Sequence, residues 1–266
     1  MPNLIRITDP ADPRIAAYNQ VRERDLVGRD REFIAEGKVV VERLLAGSRH
    51  QARSLLIAEH RVPALGDMIA AAGELPVYAA AQPVLDRVAG FALHRGILAH
   101  GAAAAPADAD ALLADLPDRA LLVVLVGISN HDNLGGIFRN AAAFGAAAVL
   151  LAPDCCDPLY RKAIRVSVGA TLTVPFATVA GDLLDLLARH GFDALALSPH
   201  RATRLADVVR SPRVALLLGA EGPGLPDALL ARARAVAIPI VPGFDSLNVA
   251  TSSGIALAHF FEPGTY

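Results

Sequence analysis

Leu121-Leu122-Val123-Val124-Leu125-Val126 decides how this chain folds, together with the stretch Ser129-Asn130-His131-Asp132-Asn133-Leu134-Gly135-Gly136-Ile137-Phe138-Arg139-Asn140-Ala141-Ala142-Ala143-Phe144-Gly145 that closely follows it. Six consecutive apolar residues mark a strand buried on both faces. The second stretch predicts a helix over Leu134–Phe144, with Gly145 suited to its C-terminal cap and Asp132 or Asn133 able to cap its start. Outward from this pair the alternation continues. Strands are predicted at Ala147–Leu151, Ala194–Leu197, Val214–Leu218 and Val236–Ile240, with Thr171–Pro175 short and extended. Helices are predicted at Pro158–Val168, Asp182–His190, Pro226–Arg234 and Asn248–Phe261. Strands alternating with helices predict an α/β fold with a mostly parallel sheet. Ligands of such sheets bind at the carboxyl ends of the strands, which directs attention to the loops after Val126, Leu218 and Ile238.

Upstream, residues 101–118 are rich in Ala, Asp and Pro and read as a partly helical linker. They divide the chain into a first domain, 1–100, and a second, 119–266. The first domain carries a helix near Val39–Leu45 and short strands at Arg53–Ala58 and Pro76–Ala79, a small α/β unit. Its early basic residues Arg22, Arg24, Arg29 and Arg31 are the candidate nucleic-acid contacts. Several sit beside acids, as in Arg22-Glu23-Arg24-Asp25, which is also the pattern of a solvated helix face.

Composition narrows the function classes. The 266 residues carry 25 basic and 27 acidic side chains, a net charge of −2, so nucleic acid cannot be held by bulk charge alone. Lysine occurs only at Lys38 and Lys162, and cationic contacts fall to arginine, the better bidentate partner of phosphate. No apolar run reaches the roughly 18 residues of a membrane span, and the start has no charged segment leading into an apolar one. The adjacent Cys155 and Cys156 are poorly placed to bridge and read as reduced thiols of a cytoplasmic protein. No zinc-type Cys/His spacing occurs, and no metal is expected.

Each of the three loops admits a bland reading. Arg139, six residues after Asn133 on an otherwise apolar helix, must pair with a carboxylate or face a site. Gly219-Ala220-Glu221-Gly222-Pro223-Gly224 is a tight turn after a buried strand, with Glu221 its one charge. In Ile238-Pro239-Ile240-Val241-Pro242-Gly243-Phe244-Asp245-Ser246-Leu247-Asn248, Ser246 or Asn248 can cap the last helix. Thr251, Ser252, Ser253 and Gly254 are weak helix formers, and their small size favours close packing against another segment or chain.

Taken together and in order, the loops resemble the three motifs of the SpoU (TrmH-like) branch of the SPOUT RNA methyltransferases. Asn133 to Arg139 fits an Asn-x-Gly-x-x-x-Arg first motif, Gly219 to Gly224 the second, and Ile238 to Val249 the third. Arg165-Val166-Ser167-Val168-Gly169-Ala170 also looks like the family. The likeness covers about residues 120–262. The first domain more weakly resembles an L30e-like RNA-binding domain, through Phe33 to Gly37 and Arg95-Gly96-Ile97-Leu98-Ala99. His131-Asp132, Asn140 and Ile240 depart from the commonest family residues.

The resemblance implies transfer of a methyl group from S-adenosylmethionine to a ribose 2′-hydroxyl of rRNA or tRNA. It also implies a deep trefoil knot in the C-terminal sheet, a feature nearly absent elsewhere, and a homodimer through that domain. The cofactor would lie against Leu218, Gly219, Glu221, Gly222, Ile238, Ile240, Leu247 and Asn248. Catalysis would fall to Arg139, with Asn133, Glu221, Ser246 and Asn248 positioning it and the ribose. The other reading is a catalytically idle RNA-binding or assembly protein on the same fold. Retention of these polar residues together favours the enzyme.

Overall fold

Glycine and short apolar runs set the elements of the first half of the chain. In the computed structural model, which describes residues 4–19, 31–90, 92–199 and 203–263, five strands form a mixed sheet. They are β1 (Leu4–Ile7), β2 (Glu32–Glu36), β3 (Gln51–Ala58), β4 (Val77–Ala80) and β5 (Ile97–Ala102). The order is β1-β4-β3-β5-β2, with β1, β4 and β3 parallel and β5 antiparallel to both of its neighbours. Helices α1 (Lys38–Leu45), α2 (Gly66–Ala71) and α3 (Gln82–Ala89) connect them. Ile7, Ile15, Leu56, Leu85 and Leu98 make a continuous core on one side. Each such side chain contributes about 1.5–3 kcal/mol by leaving water.

The second half begins with α4 (Ala109–Ala114) and builds a seven-stranded sheet. Its strands are β6 (Ala120–Leu125), β7 (Ala148–Leu151), β8 (Phe176–Thr178), β9 (Asp193–Leu197), β10 (Thr203–Arg204), β11 (Arg213–Leu218) and β12 (Arg234–Ala237). All pairs are parallel, in the order β10-β12-β9-β11-β6-β7-β8. The expected α/β parallel architecture is therefore present. β6 sits between β11 and β7, and none of its residues is more than 2% exposed. Leu122 and Val124 meet Leu150, Leu184, Leu187 and Leu217 on one face. Their neighbours Leu121, Val123 and Leu125 are buried on the opposite face, as the two-residue repeat of a strand requires. The helices are α5 (His131–Ala143), α6 (Arg161–Val166), α7 (Leu183–Arg189), α8 (Asp227–Leu230) and α9 (Val249–Phe260).

Some local expectations shift. The helix of the first motif starts three residues earlier than predicted, because Asn130 rather than Asp132 or Asn133 caps it, accepting from the Asp132 amide at 2.8 Å. Thr171 lies in a 3-10 turn, Ala170–Leu172, and the extended segment begins only at Phe176. The helix predicted over Pro226–Arg234 is four residues long, and Arg234 already opens β12.

The backbone packs as two compact units, Met1–Ala104 with Leu159–Thr173, and Ala105–Pro158 with Val174–Tyr266. Leu159–Thr173 thus joins the first unit. Arg43 Nη1 donates to the Val168 carbonyl at 2.8 Å, and Ser48 Oγ to the Leu172 carbonyl at 2.8 Å. Gly169, at φ +80°, allows the approach: a methyl there would stand 3.3 Å from Arg43 Cδ. Of the candidate RNA contacts, Arg22, Arg24 and Arg29 lie outside the described residues. Arg31 donates to the Ala104 carbonyl.

His50 is a buried titratable group of the first unit, 4% exposed, with Nδ1 accepting from the Ala104 amide at 3.1 Å. Burial, helped by the charges of Arg49 and Arg31, lowers its pKa to about 4. The unfolded chain therefore binds this proton near the ordinary value of 6.5 while the folded one resists it. The stability from the neutral ring is complete above that value and is lost as pH falls toward about 4, by at most roughly 3 kcal/mol. His50→Asn keeps an acceptor for Ala104 and removes the titration. Urea midpoints of the two proteins should diverge at neutral pH and converge on acidification; a constant difference would sink the assignment.

Candidate functional site

The carboxyl ends of β9, β11 and β12 open onto a cavity of about 430 Å³. Its wall is built from residues that the backbone forces into place. Gly219 follows β11, and a methyl on it would lie 2.3 Å from the Gly224 carbonyl carbon, so only glycine fits. The loop closes on itself through the Gly224 amide, which donates to the Ala220 carbonyl at 3.0 Å. Leu218, Ile238, Ile240 and Leu247 supply apolar faces, and Glu221, Ser246 and Asn248 the polar ones.

Asn248 ties the site together. Its Oδ1 accepts from the amides of Ala250 and Thr251 at 2.9 and 3.2 Å, capping α9. Its Nδ2 donates to Glu221 Oε1 at 2.8 Å and to Asn133 Oδ1 at 2.9 Å. The partners fix which way the amide points, since two backbone donors face the oxygen and two oxygens face the nitrogen. Asn133, in the first turn of α5, is 7% exposed. The capping role foreseen for Asn248 is real, and it is one of two jobs the same side chain does.

The expected site residues divide into three groups. Leu218, Gly219, Glu221, Gly222, Ile238, Ile240, Leu247, Asn248 and Ser246 line the one cavity. Asn133 reaches it through Asn248. Arg139 does neither: it stands exposed on α5, with no hydrogen bond or ion pair to any described residue. Among the described residues no carboxylate holds it, as the structural alternative would require. Leu197, which ends β9, and Ser198 and Pro199 after it also line the cavity. The strand-end rule that picked out the other loops applied equally to this one, and Ala194–Leu197 was already read as a strand.

Helices α5 and α9 pack closely beside the site. Asn140 Nδ2 donates to the Ala250 carbonyl at 2.7 Å and to Ser253 Oγ at 2.9 Å. A methyl on Gly136 would lie 2.9 Å from Ala250 Cβ. The small residues of α9 are thus used against a helix of the same unit. Asp154 Oδ1 accepts from the Gly127 amide at 2.9 Å and fixes the loop after β6. The thiols are protonated: burial pushes Cys156 up to about 11 and raises Cys155 as well. A thiolate nucleophile is therefore not part of this site.

Comparison with known proteins gives a consistent result. Residues 120–258 match the SpoU rRNA Methylase family. The chain is 40% identical to an uncharacterized tRNA/rRNA methyltransferase of Mycobacterium tuberculosis, over 97% of this chain and 94% of that one. It is 32% identical to the 23S rRNA (guanosine-2′-O-)-methyltransferase RlmB of Haemophilus influenzae, over 65% of this chain and 73% of that one. Its fold matches the crystal structure of AdoMet-bound rRNA methyltransferase from Sinorhizobium meliloti with a TM-score of 0.80, at 23% identity and over 97% of each chain.

Asn248 generates a prediction with two arms. Asn248→Ala should lower stability by about 2–4 kcal/mol, from a lost cap plus a buried Asn133 oxygen left without a donor. Asn248→Asp keeps the cap acceptor but sets a second carboxylate against Glu221. Its penalty should grow as pH rises through the carboxylate range, measured as urea midpoints against pH. Equal penalties at acid and neutral pH would show that Glu221 is not a partner.

Proposed function

This chain belongs to the SpoU rRNA methylase family, and from its site we propose that it transfers a methyl group from S-adenosylmethionine to a ribose 2′-hydroxyl of rRNA or tRNA. One observation carries the reading. Asn133, Glu221 and Asn248, one from each motif, are hydrogen-bonded together at the edge of a single cavity.

The cavity suits the cofactor. Its volume lies in the range of small-molecule sites. Leu218, Ile238, Ile240 and Leu247 offer apolar faces to a purine, and the backbone of Gly219 to Gly222 offers hydrogen bonds without side-chain bulk. Bound there, the cofactor supplies an electrophilic methyl on a sulfonium. The Glu221 carboxylate complements that positive charge, and Asn248 holds the carboxylate in place.

The acceptor side falls to Arg139. A guanidinium stays protonated, so Arg139 holds the developing alkoxide and its neighbouring phosphate while the proton leaves to phosphate or water. Its exposure, with no partner among the described residues, leaves it open to an RNA phosphate. Ser246, on the cavity wall, positions the ribose. The guanosine 2′-O-methyltransferase RlmB of H. influenzae supports ribose rather than base as the target. An idle RNA-binding role would leave both the three-motif network and the unpaired Arg139 without a purpose.

The remaining features belong to the same reading. Residues 1–100 act as an L30e-like RNA-reading domain, 101–118 as linker, and 119–266 as the methyltransferase with its trefoil knot. The protein works as a homodimer through the second unit, where Thr251, Ile255 and Ala258 are exposed along α9. Its place is the cytoplasm, with its RNA.

With methyl-tritiated cofactor, label should enter RNA and be recovered in 2′-O-methyl nucleosides; full recovery in other nucleosides would exclude the ribose. Arg139→Ala should reduce turnover roughly a hundred-fold or more with cofactor affinity within about two-fold of wild type. Wild-type turnover, or loss of cofactor binding, would remove Arg139 from the transition state.

A further inference from the structure

The first unit contains a cluster of arginines whose charge the protein leaves open. Glu36, at the end of β2, is buried with its side chain 6% exposed, and its Oε2 has no hydrogen-bond partner among the described residues. The nearest cation is Arg165, with Nη1 at 4.0 Å. The next residue, Gly37, has φ +98°, and a methyl on it would lie 2.9 Å from Arg95 Nη1. Arg95 precedes Gly96, and a methyl there would lie 3.0 Å from Arg61 Cγ. β2 and β5 meet at this corner, where the Gly37 amide donates to the Ile97 carbonyl at 3.1 Å. Two glycines therefore let two long cationic side chains pack against the backbone, Arg95 at Gly37 and Arg61 at Gly96, while Glu36 faces a third, Arg165.

Six arginines are held by carboxylates: Arg6, Arg14, Arg119, Arg189, Arg210 and Arg232 each meet a carboxylate oxygen within 3.2 Å. Arg61 and Arg95, like Arg53, Arg87, Arg139, Arg204 and Arg234, are exposed and unpaired among the described residues. Neighbouring cations without counter-charge repel, and the arrangement gains only when an anion arrives from outside. A guanidinium suits a phosphate, which it meets bidentately. Several guanidinium groups gathered at one corner suit a polyanion rather than one small ion.

We propose that Arg61, Arg95 and Arg165 form an RNA phosphodiester-binding corner of the first unit, organised by the Glu36-Gly37 turn. The assignment rests on the proposed RNA substrate and names residues other than Arg22, Arg24, Arg29 and Arg31. It also gives Leu159–Thr173 a purpose, since that segment delivers Arg165 to the corner. Glu36 fixes Arg165 by charge, and its open Oε2 is the consequence of a guanidinium shared between a buried carboxylate and a ligand.

The test measures binding of total ribosomal RNA by the full-length protein across a salt series, with cofactor affinity and melting temperature measured on the same samples. In the Arg61→Gln/Arg95→Gln double variant, affinity should fall roughly ten-fold or more, and the slope of log K against log salt should flatten by about two. Cofactor affinity and melting should stay at wild-type values. The charge-retaining Arg61→Lys/Arg95→Lys variant should keep the wild-type slope. Arg189→Gln/Arg232→Gln, which removes two carboxylate-paired arginines, should leave binding intact. The proposal is overturned by a double variant with unchanged affinity and slope, or by an equal loss in the Arg189/Arg232 control. Wild-type protein that binds cofactor but no RNA would overturn the corner and the RNA reading together. Wild-type protein that binds RNA in the predicted manner but no cofactor would overturn the methyl transfer and leave the corner standing.

Discussion

A single side-chain amide holds this site in one piece. Asn248 uses both hydrogens and both lone pairs of its amide, and the four partners come from three stretches far apart in sequence. An asparagine has no further hydrogen-bonding capacity to offer. Loss of any partner therefore leaves an atom of the network unsatisfied. The constraint runs outward from there. α9 can start only where Asn248 caps it, the Gly219–Gly224 loop must bring Glu221 to the same point, and α5 must begin early enough to place Asn133 in its first turn. The steric exclusion of any side chain at Gly219 serves the same end, because a looser loop would not hold Glu221 at hydrogen-bonding distance.

Much of this was legible in the sequence because parallel sheets are easy to read. A strand buried on both faces is an unbroken apolar run, and β6, β7 and β11 all announce themselves that way. The strand-end rule then points to the loops, and the polar residues within them are few. The boundaries that slipped did so for local reasons. Asn130 outcompeted Asp132 and Asn133 as a cap because Asn133 was committed to Asn248, a partner 115 residues away that no local pattern reveals. The helix after Pro226 is short because Arg234 is taken into β12, and strand pairing with β9 outweighs helix propensity there. The wall contributed by Leu197 to Pro199 was missed although the general rule covered it.

Other features could not be read at all. The packing of Leu159–Thr173 with the first unit depends on backbone carbonyls of Val168 and Leu172 meeting Arg43 and Ser48. A carbonyl carries no sequence signature. The small residues of α9 were equally ambiguous, since close packing within a chain and between chains asks for the same side chains. Gly136 and Asn140 on α5 account for one face of that helix, and the opposite face remains available.

Charge gives the last step. A net charge of −2 says nothing about where the charge is uncancelled. Arg6, Arg14, Arg119, Arg189, Arg210 and Arg232 are matched by a carboxylate and project little field. Exposed pairs of this kind add little to stability, and each cancels a cation that would otherwise face solvent. Arg139 in the second unit, and Arg61 with Arg95 in the first, escape that cancellation. In the first unit, Gly37 and Gly96 let Arg95 and Arg61 pack against the backbone. A near-neutral protein can thereby present phosphate-binding points at chosen places, and the field of the rest does not smear RNA over its whole surface.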